Sequence, residues 1–112
     1  MSRFETIVAR LQAVIESRKG GDPGDSWTAR LLADPTLASK KLAEEAMEAA
    51  LAAVKGEKDA LAAESADLVY HWLVVLAAQG VTLDEVAAKL EAREGSSGIA
   101  EKASRGGGSN AS

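Results

Sequence analysis

A chain of 112 residues with a net charge of −4 and no cysteine has the length of one domain and excludes a disulfide framework, a thiolate metal site and a cysteine nucleophile. Its 13 lysines and arginines are scattered, which argues against a nucleic-acid surface, since that needs a concentrated basic face. Aromatic content of 4% beside abundant alanine implies a core of thin, closely packed helices; no uninterrupted apolar run approaches the roughly 18 residues of a membrane span, and with no signal-like segment the expected setting is the cytoplasm.

Ser2 and Glu5 form an S-x-x-E capping pattern, and Phe4, Ile7, Val8, Leu11, Val14 and Ile15 follow at helical spacing, which predicts a helix over residues 3 to 19. Gly20 to Asp25 is a breaker cluster that no helix crosses. SWTARLLA then predicts a short amphipathic helix, capped by Asp25 or Ser26 and anchored by Leu31 and Leu32. Asp34 followed by Pro35 is a cap and a first-turn proline, so the next helix starts there, runs to near Val54 and stops at Gly56.

Its successor spans Lys58 to Gln79 and stops at Gly80; it is apolar nearly all round, the pattern of a buried helix. Thr82 and Glu85 repeat the capping pattern and open a last helix through Leu83, Val86 and Leu90 to about Glu94. Beyond it, the segment to Arg105 is suited to ordering on a ligand, and Gly106 to Ser112 reads as a flexible tail. With neither strand-like alternation nor an internal repeat, the expected fold is all-α, a single domain over residues 1–105 with a tail over 106–112.

The chemistry gathers in the hairpin about Gly56. One arm carries Glu44, Glu45 and Glu48, the other Glu64, Asp67 and His71. If the arms fold back antiparallel, residues equidistant from Gly56 lie level, so Glu48 meets Glu64 and Glu45 meets Asp67. The acids of the first arm alone are ordinary solvated surface. Glu64 and Asp67 are not, because they interrupt the most apolar helix in the chain, where an unpartnered charge costs several kcal/mol. Anions at such quarters call for a cation between them, and carboxylate oxygens suit magnesium. His71 reads as an interior hydrogen-bonded residue or a substrate contact, and Trp27, Tyr70 and Trp72 as core or subunit contacts. There is no phosphate-binding glycine loop, and the single histidine excludes a zinc-type histidine pair.

These residues carry a resemblance. E-E-x-x-E at Glu44 to Glu48 followed by E-x-x-D at Glu64 to Asp67 resembles the metal signature of the MazG-like all-α nucleotide pyrophosphatase superfamily. SWTARLL, KKLAEEAMEAALAA, ESADLVYHWLVVL and REGSSGIAEKASR are similar, within it, to the phosphoribosyl-ATP pyrophosphatase family. The resemblance implies magnesium-dependent hydrolysis of phosphoribosyl-ATP to phosphoribosyl-AMP and pyrophosphate, the second step of histidine biosynthesis. It implies one or two magnesium ions, with manganese as a substitute, held by Glu45, Glu48, Glu64 and Asp67, and Glu44 as a further ligand or water-orienting base. It assigns substrate and phosphate contacts to Ser26, Thr28, Arg30, Lys41, Arg93, Ser97, Lys102 and Arg105. The assembly it implies is a homodimer at least, in which two thin hairpins complete a four-helix core. Two rival readings stand beside it: a housecleaning pyrophosphatase for non-standard nucleoside triphosphates, and a non-catalytic helical interaction module with solvated acids.

Overall fold

A computed structural model of the chain describes residues 1–96. Among these there are five helices and no strand, so the all-α expectation holds. The chain divides into two compact units, one over Met1–Gly80 and one beginning at Val81. The expected tail over 106–112 lies outside the described residues.

The first unit opens with α1 (Arg3–Ser17), whose capping box is complete: the Ser2 hydroxyl accepts from the Glu5 amide and the Glu5 carboxylate from the Ser2 amide. The helix ends two residues before the expected stop, because the Ser17 hydroxyl turns back to donate to the Val14 carbonyl at 2.6 Å and the chain then needs the left-handed conformation at Gly20, φ +76°. Short α2 (Trp27–Ala33) is capped by Ser26, not Asp25, with the hydroxyl accepting from Ala29 N. Leu31 is fully buried as expected, whereas Leu32 is half-buried and Ala29 takes the second inward position.

Helices α3 (Pro35–Lys55) and α4 (Lys58–Gln79) are the hairpin arms. Asp34 caps the first through the Leu37 amide, with Pro35 in the first turn. At the tip, Gly56 has φ +70°, and the Gly56 and Glu57 amides donate to Ala53 O and Ala52 O at 3.1 and 3.0 Å, satisfying carbonyls the helix leaves open. A Cβ at Gly56 would meet nothing within 4 Å, so Gly56→Ala isolates the cost of the left-handed backbone. Urea denaturation is expected to show a loss of about 1 kcal/mol, with no loss of helix content.

Ala38, Ala49 and Ala52 of α3 are buried, and their small side chains let the two helices approach closely. On α4 the buried positions are His71, Leu73 and Val74, and α1 and α2 both touch this helix, bringing Ile15 and Leu31 into the same core. The expectation that α4 is buried all round fails within the chain: Leu68, Val69, Tyr70, Trp72, Val75 and Leu76 are only half-buried, because α1, α2 and α3 do not wrap the whole helix. By length and mean hydropathy of 1.3 it is the one helix among the described residues that could cross a membrane, with 17% of its apolar window buried. It carries Glu64 and Asp67 within its length and packs against three other helices of the unit. The apolar stripe of α1 is likewise largely uncovered, with Phe4, Ile7 and Val14 exposed and Ile15 buried.

In the second unit, α5 (Leu83–Ser96) starts at a reciprocal cap: Glu85 N donates to the Thr82 hydroxyl at 3.0 Å and Thr82 N to the Glu85 carboxylate at 2.9 Å. These bonds hold the Glu85 carboxyl below its ordinary value, the amide of Thr82 contributing most and its hydroxyl next.

Candidate metal centre

Glu45 and Glu48 stand one turn apart on α3, and Glu64 faces them from the first half of α4. One carboxylate oxygen from each lies within 4.8 Å of the others. Glu45 and Glu64 are half-buried and Glu48 is exposed, so the cluster has an enclosed floor and an open edge. The floor includes Glu45 Oε2, which is shut away from solvent and has no hydrogen-bond partner in the protein. Such an oxygen is costly unless a donor or a cation meets it.

Charge crowding shows most at Glu64. Its partial withdrawal from water, then its contacts with and repulsion by Glu48, then those with Glu45, push its carboxyl up to about 7. In the absence of a cation the cluster therefore holds a proton near neutrality. The donor set is all carboxylate oxygen, hard and anionic, which fits a divalent cation of the magnesium, manganese or calcium kind and does not fit the soft or nitrogen-seeking metals.

The strict pairing expected from the hairpin tip is replaced by a triad, because Glu64 serves both Glu45 and Glu48. Asp67 is not one of the three; it is exposed on the next turn of α4. Its carbonyl has a separate task, accepting from His71 Nδ1–H at 2.7 Å. That bond fixes the tautomer, and His71 is 7% exposed with Nε2 enclosed and partnerless, so the interior reading of His71 fits the geometry. Tyr70 sets its ring edge-on to the imidazole at 4.9 Å.

The other candidate residues fall in different parts of the chain. Lys41 Nζ lies 3.2 Å from Glu44, both half-buried, so this pair flanks the triad on α3. Ser26 spends its acceptor on the α2 cap, Thr28 is hydrogen-bonded to the Tyr70 hydroxyl, and Arg30 places its guanidinium 5.6 Å from the centre of the Trp27 ring. Arg93 belongs to α5 in the second unit. Ser97, Lys102 and Arg105 lie outside the described residues. The link between Thr28 and Tyr70 was invisible in the sequence: the two are 42 residues apart and neither sits in a spacing that announces the other.

A helical hairpin presenting a compact carboxylate triad, half sunk between its arms, defines an all-α protein whose clustered oxygens could hold a hard cation. Sequence comparison makes the class specific. The family model for phosphoribosyl-ATP pyrophosphohydrolase matches residues 8–94, and the chain belongs to that family. It is 67% identical over 103 residues to the phosphoribosyl-ATP pyrophosphatase of Caulobacter vibrioides strain NA1000 / CB15N, covering 92% of this chain and 96% of the relative. It is 63% identical over 105 residues to the enzyme of that name from Caulobacter sp. strain K31, covering 94% and 98%. With its namesake from Cereibacter sphaeroides strain KD131 it shares 59% identity over 102 residues, covering 90% and 99%.

Proposed function

We propose that this chain hydrolyses phosphoribosyl-ATP to phosphoribosyl-AMP and pyrophosphate, the second step of histidine biosynthesis, in the cytoplasm. The observation that carries the reading is the convergence of Glu45, Glu48 and Glu64 within 4.8 Å in a chain of this family. In the reaction the oxygen of water bonds to one of the two phosphorus atoms that flank the α–β bridge. The bridging P–O bond breaks, and its electron pair leaves on the pyrophosphate or nucleotide oxygen.

Glu45, Glu48 and Glu64 would hold magnesium, one or two ions, with Asp67 as a further ligand from the adjoining turn and manganese as a substitute. When bound, the ion supplies charge neutralisation on the phosphate oxygens and a more acidic water. The protein's own residues place that chemistry. Glu45 and Glu64, half-buried, keep bulk water from the floor. Glu44, paired with Lys41, would orient or deprotonate the attacking water, and Lys41 would neutralise substrate phosphate. Arg30, Arg93, Ser97, Lys102 and Arg105 belong to the same proposal as phosphate contacts; for Ser26 and Thr28 it rests on the hydroxyl capacity left after their bonds within the fold.

The assembly that goes with this reading is a homodimer. A helix as apolar as α4, with 17% of its most apolar window buried, leaves an apolar flank that a second hairpin would cover in a four-helix core. Pyrophosphate release measured with phosphoribosyl-ATP and with a panel of nucleoside triphosphates, dUTP and dCTP included, tests the assignment. Turnover confined to phosphoribosyl-ATP is the expected result. Equal turnover across the panel would reassign the chain to nucleotide housecleaning, and none with any substrate would leave an interaction module.

A further inference from the structure

The surface of α2 offers something the carboxylates do not. Trp27 is 45% exposed, in a chain with only four aromatic residues of the Phe, Tyr and Trp kinds, and its ring carries the Arg30 guanidinium at 5.6 Å. An indole left open on a mobile loop would be unremarked surface, but this one is held on a docked helix. Ala29 and Leu31 are buried beneath it at 3% and 0% exposure, Ser26 caps its start, and Thr28, its immediate neighbour, is hydrogen-bonded to Tyr70. That last bond ties α2 to the hairpin arm that carries Glu64. Tyr70 follows Glu64 by six residues on α4, about 9 Å further along the axis and a third of a turn round it, and α2 packs against both arms of the hairpin. A nucleotide whose polyphosphate rests on the carboxylates can reach this far with its base.

We propose that Trp27, backed by Arg30, is the platform on which the purine base of the substrate stacks, and so a specificity-determining residue for the reaction. The inference rests on the reading that the triad receives the polyphosphate. An indole that carries a cation and stays 45% exposed is an electron-rich flat surface suited to a heteroaromatic ring. Stacking takes place away from the reacting phosphorus and is the same in ground and transition states, so its loss raises KM and spares kcat.

The test is steady-state kinetics with phosphoribosyl-ATP on Trp27→Ala and Trp27→Phe, with thermal melting as the control for folding. Trp27→Ala is expected to raise KM roughly 10- to 100-fold with kcat within about twofold and an unchanged melting curve, and Trp27→Phe to restore most of the KM. A second measurement needs no turnover: in full-length Trp72→Phe protein, where Trp27 is the remaining indole, AMP is expected to quench the fluorescence and ribose 5-phosphate to leave it unchanged. An unaltered KM in Trp27→Ala, a fall in kcat alone, or equal responses to AMP and ribose 5-phosphate would overturn the proposal. Failure of the triad reading shows differently, as full activity in Glu64→Gln with the AMP quench still present.

Discussion

Glu64→Gln is expected to lower kcat/KM for phosphoribosyl-ATP by about 10³-fold, the scale of removing an ion's charge stabilisation from a phosphoryl transition state, while the folded chain survives. Glu64 touches both members of the triad on α3, and its carboxyl is pushed up to about 7 by withdrawal from water and by Glu48 and Glu45. Gln has nearly the same shape, keeps a carbonyl oxygen and lacks the charge. The variant therefore removes repulsion between the arms at the same time as it removes a proposed cation ligand. Circular dichroism melting of the cation-free protein at pH 8 is expected to give the variant a midpoint equal to or above that of the parent chain. That combination, lost turnover with retained or raised stability, separates a ligand from a structural residue: loss of a structural residue lowers both. Activity within tenfold of the parent would remove Glu64 from the centre. Asp67→Asn, altering an exposed side chain outside the triad, provides the comparison, and a loss as deep as that of Glu64→Gln would make the ligand set four.

What the sequence disclosed about this centre, it disclosed through local chemistry. Ser2 with Glu5, Asp34 with Pro35, and Thr82 with Glu85 are all read within a few residues, and each caps a helix as expected. Gly56 sets the hairpin tip, and counting outward from it brings Glu48 to Glu64. The same arithmetic sets Glu45 opposite Asp67, whereas the triad brings Glu45 together with Glu64 as well. Tertiary relations were less legible. The apolar circumference of α4 predicts burial without saying by what, and within the chain one flank of it remains half-exposed. In α2, the larger Leu32 was expected inside, but Ala29 is buried more deeply, since helix rotation is set by what packs against it. Neither the Thr28 to Tyr70 bond nor the enclosed Glu45 Oε2 has a sequence signature at all.

The second large effect is on stability, and it reverses with the cation. Glu64 in the folded chain keeps its proton to about pH 7, against an ordinary value of 4.5. Between those values the folded state binds more protons than the unfolded one, so the cation-free protein loses stability as pH rises across that window. Below it both states are protonated and the penalty is absent; above it the penalty is complete. Glu5 and Glu85 are shifted downward by their capping bonds, and their stabilisation is lost as pH falls below the ordinary carboxylate value, which is a separate window. On the proposed reading magnesium would bind the ionised cluster, so its affinity is expected to increase as Glu64 gives up its proton. At pH 8, magnesium at a hundred times its dissociation constant is expected to stabilise the fold by about 2.7 kcal/mol, a rise in melting midpoint of roughly 10 °C or more for a domain of this size. At pH 5 the gain should shrink, and EDTA should abolish it at both. In Glu64→Gln the decline between pH 4.5 and 7 should flatten, because the group that titrates is gone, and the magnesium gain should fall with it. A melting midpoint indifferent to magnesium at pH 8 would mean that the carboxylates repel one another to no purpose the cation serves, and the hydrolytic reading would lose its site.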